Sequence, residues 1–177
     1  MNQKDLIIIT GFLLILGFLG EVLTYFEINN FDKLTVVFTG IGRIAGLILI
    51  LSKGTLIKTK SYYKLILIFI GFTVLGVMIK IMHWPNGNLI LLFGLSCTLL
   101  IYDLHFYKKP TKNLLDYIKL IWLTLFICAA IFTIQHYPFG NELKNIEGIL
   151  FLIMFLYFAI KQIKLGKDRF NFTDIIE

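Results

Sequence analysis

This chain is short of charge. Of its 177 residues only 16% are Asp, Glu, Lys or Arg. A soluble globular domain carries about 25% charged residues overall, so the composition argues against a water-soluble globule from the start. Proline is nearly missing too. Its three copies, Pro85, Pro110 and Pro138, all fall between apolar blocks, so no block is kinked by one. Serine occurs at Ser52, Ser61 and Ser96 alone, and none has the Gly-x-Ser-x-Gly setting of a nucleophile elbow. No phosphate loop or dinucleotide fingerprint appears. The two cysteines, Cys97 and Cys128, lie inside apolar blocks and read as packed small side chains rather than as a disulfide. No Cys/His set has zinc spacing. These gaps remove the usual catalytic and cofactor signatures, and the expectation is a non-enzyme without a cofactor.

What fills the space is hydrocarbon. Hydrophobic residues make up 58% of the chain, and the mean hydropathy is +0.82. They come in long continuous blocks over residues 6–26, 34–52, 63–82, 89–106, 117–135 and 146–163. Blocks of about 18 or more apolar residues match the ~30 Å hydrocarbon core of a bilayer. Only helices and closed barrels satisfy their backbone hydrogen bonds in lipid, and barrel strands would alternate with a period of two. The expected fold is therefore all-α: a polytopic membrane protein of six transmembrane helices, arranged as three tandem hairpins over residues 6–52, 63–106 and 117–163. Together they form one membrane domain, with a short tail over residues 164–177. The first block is read as a retained span rather than a cleaved leader.

The formal net charge is +6, which in a soluble protein would raise the question of nucleic acid. Here the basic residues mark topology instead, and the partner they imply is the lipid bilayer. Lys4, then Lys53, Lys58, Lys60 and Lys64, then Lys108, Lys109, Lys112 and Lys119, then Lys161, Lys164, Lys167 and Arg169 all fall at one set of span ends. Only Lys33 and Lys144 fall at the other. The positive-inside rule then places both termini in the cytoplasm and the three tight turns outside. In a bacterium this is the inner membrane.

The chain also repeats itself. Ile81-Met82-His83-Trp84-Pro85-Asn86-Gly87-Asn88 returns 53 residues later as Ile134-Gln135-His136-Tyr137-Pro138-Phe139-Gly140-Asn141. A weaker copy lies earlier, ending near Glu27, and a glycine follows each turn at Gly40, Gly94 and Gly148. A tandem hairpin unit in one orientation is the simplest source of this pattern.

The run over residues 76–94, GVMIKIMHWPNGNLILLFG, resembles the N-terminal transmembrane hairpin of the GldL family, inner-membrane motor proteins of Bacteroidetes gliding motility and type IX secretion. Lys80, His83, Trp84, Pro85, Gly87 and Gly94 carry the resemblance. The third hairpin, with His136, Tyr137, Pro138 and Gly140, follows it more loosely. The resemblance implies a related hairpin unit in a membrane complex of that kind. Two departures bound it. The family has one hairpin and a long cytoplasmic region, whereas this chain has three hairpins and a short tail. The family also carries a glutamate in the second span, tied to use of the proton gradient. The aligned stretch here is Leu95-Ser96-Cys97-Thr98, and no carboxylate follows Gly40 or Gly148 at the matching positions. A proton-driven stator role therefore does not carry over.

Few residues remain that could bear chemistry. Glu21 and Arg43 lie within the first two spans, where charge is costly and is usually paired or turned toward a wet interior. They read first as a structural ion pair between hairpin neighbours, the arginine reaching outward, and second as part of an ion or substrate path. Lys80 and His83 are three residues apart and share a helix face at a span end. His83 and His136 occupy the same repeat position. Their reading is a helix-terminating, interface-anchoring motif, with a metal or haem site and proton sensing as the alternatives. Asp103 and His105 read as interface anchors. Gly40, Gly42 and Gly46 form a small-residue stripe for close helix contact, inside the bundle or between copies of the chain.

The function expected from this is a scaffold or accessory subunit of a membrane complex, in contact with other membrane subunits or with itself. A small transporter or channel is the alternative, and a membrane redox or haem subunit the third. If Glu21 and Arg43 stabilise each other, neutralising either lowers the folded yield in membranes and swapping the two charges restores it. Unchanged yield in both single variants removes the pair.

Overall fold

The computed structural model describes residues 3–25 and 32–173. Glu27 and most of the first turn, and the last four residues of the tail, lie outside them. So do the side chains of Lys4, Lys33, Lys167 and Arg169. The described residues form helices joined by short turns, with no strand among them. The order is α1 (Gln3–Tyr25), α2 (Asp32–Ser52), α3 (Thr55–Lys58), α4 (Lys60–Ile81), α5 (Gly87–Lys108), α6 (Leu114–Ile134) and α7 (Gly140–Thr173). Six of these, all but the four-residue α3, are long and apolar enough to cross a bilayer. At 1.5 Å per residue the 21 to 23 residues of α1, α2, α4, α5 and α6 span about 30–35 Å.

The outer faces fit that solvent. Val36 is 72% exposed, Ile44 63% and Ile8 62%, a distribution that water would punish and acyl chains welcome. Polar groups follow the complementary rule. Among the described residues, no buried side-chain nitrogen or oxygen lacks a hydrogen-bond partner.

Two details differ from the sequence expectation. The basic connection after the second span is not plain loop. It holds α3, whose Leu56 is buried against Ile66 and Ile101. The sixth span lies on α7, which starts at Gly140 rather than near residue 146 and continues into the expected tail as far as Thr173. Asn141, Glu142 and Lys144 misled the reading, because polar side chains in a first helical turn mark the boundary with water, not the absence of helix.

The chain divides into two compact units. One comprises residues through Lys53 and those from Phe151 on. In it α1 and α2 pack as an antiparallel hairpin, with Gly17 and Gly20 of α1 set directly against Thr39 and Thr35 of α2. Phe151, Met154, Phe155 and Phe158 of α7 are fully or almost fully buried. Gly46 lies beneath Phe151 and Phe155, and Gly11 beside Phe155.

The other unit is Gly54–Leu150. In it α4 and α5 form the tightest hairpin. A Cβ on Gly76 would stand 2.5 Å from the Leu91 backbone nitrogen, and one on Gly94 2.6 Å from that of Thr73. Helix α6 packs on α5 through Leu91, Leu95 and Ile127, with Leu99, Leu123, Ala130, Ile131 and Ile134 around them. Lipid-bathed helices gain little from hydrophobicity when they associate, so such close backbone contact supplies the attraction.

Gly76→Val should force α4 and α5 apart and cost about 1–3 kcal/mol. Gly71→Ala, where an added Cβ meets nothing within 4 Å, should stay within about 0.5 kcal/mol of wild type. Unfolding in mixed detergent micelles, followed by circular dichroism, compares the two. Equal losses would mean that the Gly76 contact is not what holds the hairpin.

Candidate functional site

The two described turns share one backbone. Helix α4 ends with His83 in the left-handed region at φ 54°, and α6 ends with His136 at φ 55°. The His83 N–H donates to the Lys80 carbonyl, and the Trp84 N–H donates to Ile79. Fifty-three residues on, the His136 N–H donates to Thr133 and the Tyr137 N–H to Phe132. This is the Schellman arrangement that ends many helices, with the left-handed residue usually glycine. Histidine is among the few side chains enriched in that conformation. A second left-handed residue then precedes each new helix, Asn86 at φ 68° and Phe139 at φ 68°. Gly87 follows the first, where a Cβ would be 2.8 Å from the Lys80 backbone nitrogen. Gly140 holds the same place after Phe139. Proline, at Pro85 and Pro138, sits where the chain has no helix to continue. The histidine-aromatic-proline-x-glycine pattern is thus first a device for turning a helix in a short space. Trp84, Tyr137 and Phe139 remain exposed at the turns, as aromatic groups at a membrane surface do.

Lys80 does more than reach for that surface. Its Nζ donates a 3.0 Å hydrogen bond to the carbonyl of Ile134, the last residue of α6. A helix C-terminus carries unpaired carbonyls and partial negative charge, so the ammonium both caps α6 and ties it to the end of α4. Lys80 and His83 therefore act separately, one on the neighbouring helix and one on its own backbone.

Glu147 is the site that the sequence reading passed over. It is 3% exposed, and its Oε1 accepts a 2.6 Å hydrogen bond from Trp122 Nε1. It stands seven residues past Gly140, about 10 Å into the span. The strict offset of 53 residues would have found it. That offset, which the two turns obey, carries Gly94 to Glu147 and Phe69 to Trp122. Aligning instead on Gly148 hid it. In the second hairpin Gly94 lies against the Phe69 carbonyl and Thr73. In the third, a carboxyl and an indole join the helices at that level.

At the opposite end of this unit, His105 is buried and joins α5 to α3. Its Nδ1 is 3.3 Å from Thr59 Oγ1 and its Nε2 3.4 Å from Thr55 Oγ1. The Tyr62 and Tyr102 rings lie tilted against the imidazole at centroid separations of 5.5 and 6.4 Å. Asp103, two residues before, is half-buried. Beside this cluster Lys109 Nζ donates to Asp116 Oδ2 at 2.6 Å, and that carboxylate also accepts from the Asn113 backbone N–H. The contacts of His105 with Thr55, Thr59 and Tyr62 are not implied by local spacing, because only the hairpin brings those segments together; Asn113 and Asp116, three residues apart, form a local capping box at the start of α6.

In the first hairpin, Gly20 meets Thr35 and Gly42 meets Leu14. This register sets Glu21 level with the start of α2 and Arg43 level with residue 13, about 12 Å apart along the helices. Glu21 is exposed and Arg43 half-buried. The two would meet only with both side chains extended along the hairpin. Of the glycine stripe, Gly42 packs on Leu14 and Gly46 on the α7 phenylalanines, while Gly40 has open space. Cys97 and Cys128 are free thiols. Among the described residues, no three His, Cys, Asp or Glu side chains gather as a metal site would need.

Residues 67–121 match the family described as GldL N-terminal domain. The match takes in most of α4, all of α5 and the first residues of α6, and so includes Lys80, His83, Trp84, Pro85, Gly87 and Gly94. It covers 55 of the 177 residues. Neither the curated proteins nor the solved structures give a match to this chain.

Trp122→Phe should leave the Glu147 carboxyl short of a donor in a buried site and cost about 1–3 kcal/mol. Combined with Glu147→Met, the total should fall short of the sum of the two single effects by about 0.5–3 kcal/mol. Strict additivity in a detergent-unfolding cycle would show that the hydrogen bond contributes nothing of its own.

Proposed function

We propose that this chain is a non-enzymatic scaffold or accessory subunit of an inner-membrane complex, built from GldL-like hairpins. The reading starts from the match of residues 67–121 to the GldL N-terminal domain, which supports a membrane component of gliding or type IX secretion machinery. The observation that carries the scaffold role is what the motif residues do. Lys80 caps α6, His83 closes α4, and Gly76 and Gly94 let α5 approach α4. The Lys80 ammonium, the His83 backbone and the two glycines are used in ending helices and holding them together, which suits a subunit whose task is to present a rigid surface to membrane partners.

The hairpins descend from one duplicated unit. The shared turn geometry at a spacing of 53 residues supports this. Both termini and the lysine-rich ends face the cytoplasm, as the split of basic residues supports.

One observation favours a small transporter instead. Glu147 is a carboxyl buried well inside a span, and ionisable groups there often mark pathways. Gentle detergent extraction, co-purification and mass spectrometry separate the two readings. A stable companion of fixed stoichiometry is expected. A lone chain that carries protons or solute into vesicles, and loses that flux in Glu147→Gln, would overturn the scaffold in favour of transport.

A further inference from the structure

We propose that the lysine-rich end of the Gly54–Leu150 unit is a binding site for the headgroup phosphate of an anionic phospholipid. The inference requires only that the helices span a bilayer; it stands apart from the scaffold reading.

The positions of the lysines are fixed by packing. Leu56 anchors α3 in the cluster with Ile66 and Ile101, and His105 holds the same segment through Thr55 and Thr59. Lys58 and Lys60, on either side of Thr59, are thereby held at the head of α4. From the other helix, Lys108 Nζ lies 5.8 Å from the centre of the Tyr62 ring, two residues beyond Lys60. Lys112 Nζ lies 4.8 Å from the Phe106 ring and 5.7 Å from that of Tyr107. A ring face restrains an ammonium without neutralising it.

Carboxylates do little to cancel this charge. Between residues 53 and 120 the only ones are Asp103 and Asp116. Asp116 is engaged by Lys109, and Asp103 is half-buried along α5. Lys58, Lys60, Lys64, Lys108 and Lys112 are all exposed at the same boundary.

The surroundings select a lipid over a free anion. Directly inward of the lysines, α4 exposes Leu65, Ile68 and Phe72, a lane for acyl chains. Tyr107 and Tyr117 stand exposed at headgroup level. A phosphodiester with two acyl chains meets both features, whereas inorganic phosphate meets only the first. Basic pockets between transmembrane helices hold anionic headgroups in this way.

The test uses the full-length chain, delipidated in mild detergent, with phosphatidylglycerol and phosphatidylcholine as probes and bound lipid counted by native mass spectrometry. Wild type should bind phosphatidylglycerol about tenfold more tightly than phosphatidylcholine. The triple variant Lys60→Gln, Lys108→Gln, Lys112→Gln should lose that preference. The same three changed to Arg should keep it, as should Lys144→Gln, Lys161→Gln, Lys164→Gln, which removes equal charge elsewhere. Equal loss in that last variant would mean diffuse attraction rather than a site. Full competition by inorganic phosphate would mean a free-anion site. No preference in wild type, which needs no variant to fold, would end the proposal outright.

Discussion

A backbone N–H or C=O left unpaired in hydrocarbon costs several kcal/mol, and each transmembrane helix leaves such groups at both ends. The chain must therefore reverse direction at the membrane boundary within very few residues and still satisfy those ends. Its answer is the paired left-handed turn. His83 and His136 let the last amides fold back onto carbonyls of the final turn. Asn86 and Phe139 then redirect the chain into the next helix. A left-handed conformation costs an ordinary L-residue about 1–2 kcal/mol. Histidine and asparagine bear it better than most, and phenylalanine has no such excuse. That Phe139 adopts the same angle as Asn86 shows the geometry of the turn overriding the preference of the residue.

The same constraint governs how helices meet. Thr10, Thr39, Thr73, Thr98 and Thr133 each return the hydroxyl proton to the carbonyl four residues back. A hydroxyl satisfied within its own helix asks nothing of its neighbour. Thr39 and Thr73 can then lie directly against Gly17 and Gly94. Small residues bring the backbones close, and close backbones give the dispersion that replaces a hydrophobic driving force in lipid.

Length and hydropathy made the six spans legible, because a bilayer imposes a minimum run of apolar residues that nothing else in the sequence mimics. The turns were legible as breakers, since proline and glycine restrict the chain locally. The histidines read as helix-terminating, but their left-handed backbone was not legible, because histidine takes that conformation only where the turn imposes it. Helix α3 was hidden by the lysines in and around it, and the start of α7 by Glu142 and Lys144. Glu147 was hidden by an alignment one residue out of step. The contacts of Lys80, His105 and Trp122 join residues 25 to 54 positions apart, and no local pattern encodes such a pairing.

The differences between the second and third hairpins are as informative as their likeness. At the level of Gly94 the second hairpin uses the absence of a side chain. At the corresponding level the third uses two large polar ones, Glu147 and Trp122. These are two solutions to one problem, since helices in lipid adhere either by shape or by hydrogen bonding. The second solution commits the helices to a fixed register, because a 2.6 Å bond between an indole and a carboxyl cannot slide. Lys80 extends that commitment from one hairpin to the next, for its partner carbonyl exists only where another helix ends beside it. A chain with a single hairpin has no such neighbour within itself, and its lysine would remain available to other groups. Here the ammonium is engaged internally, so a lysine at a span end serves the neighbouring helix rather than the membrane surface alone.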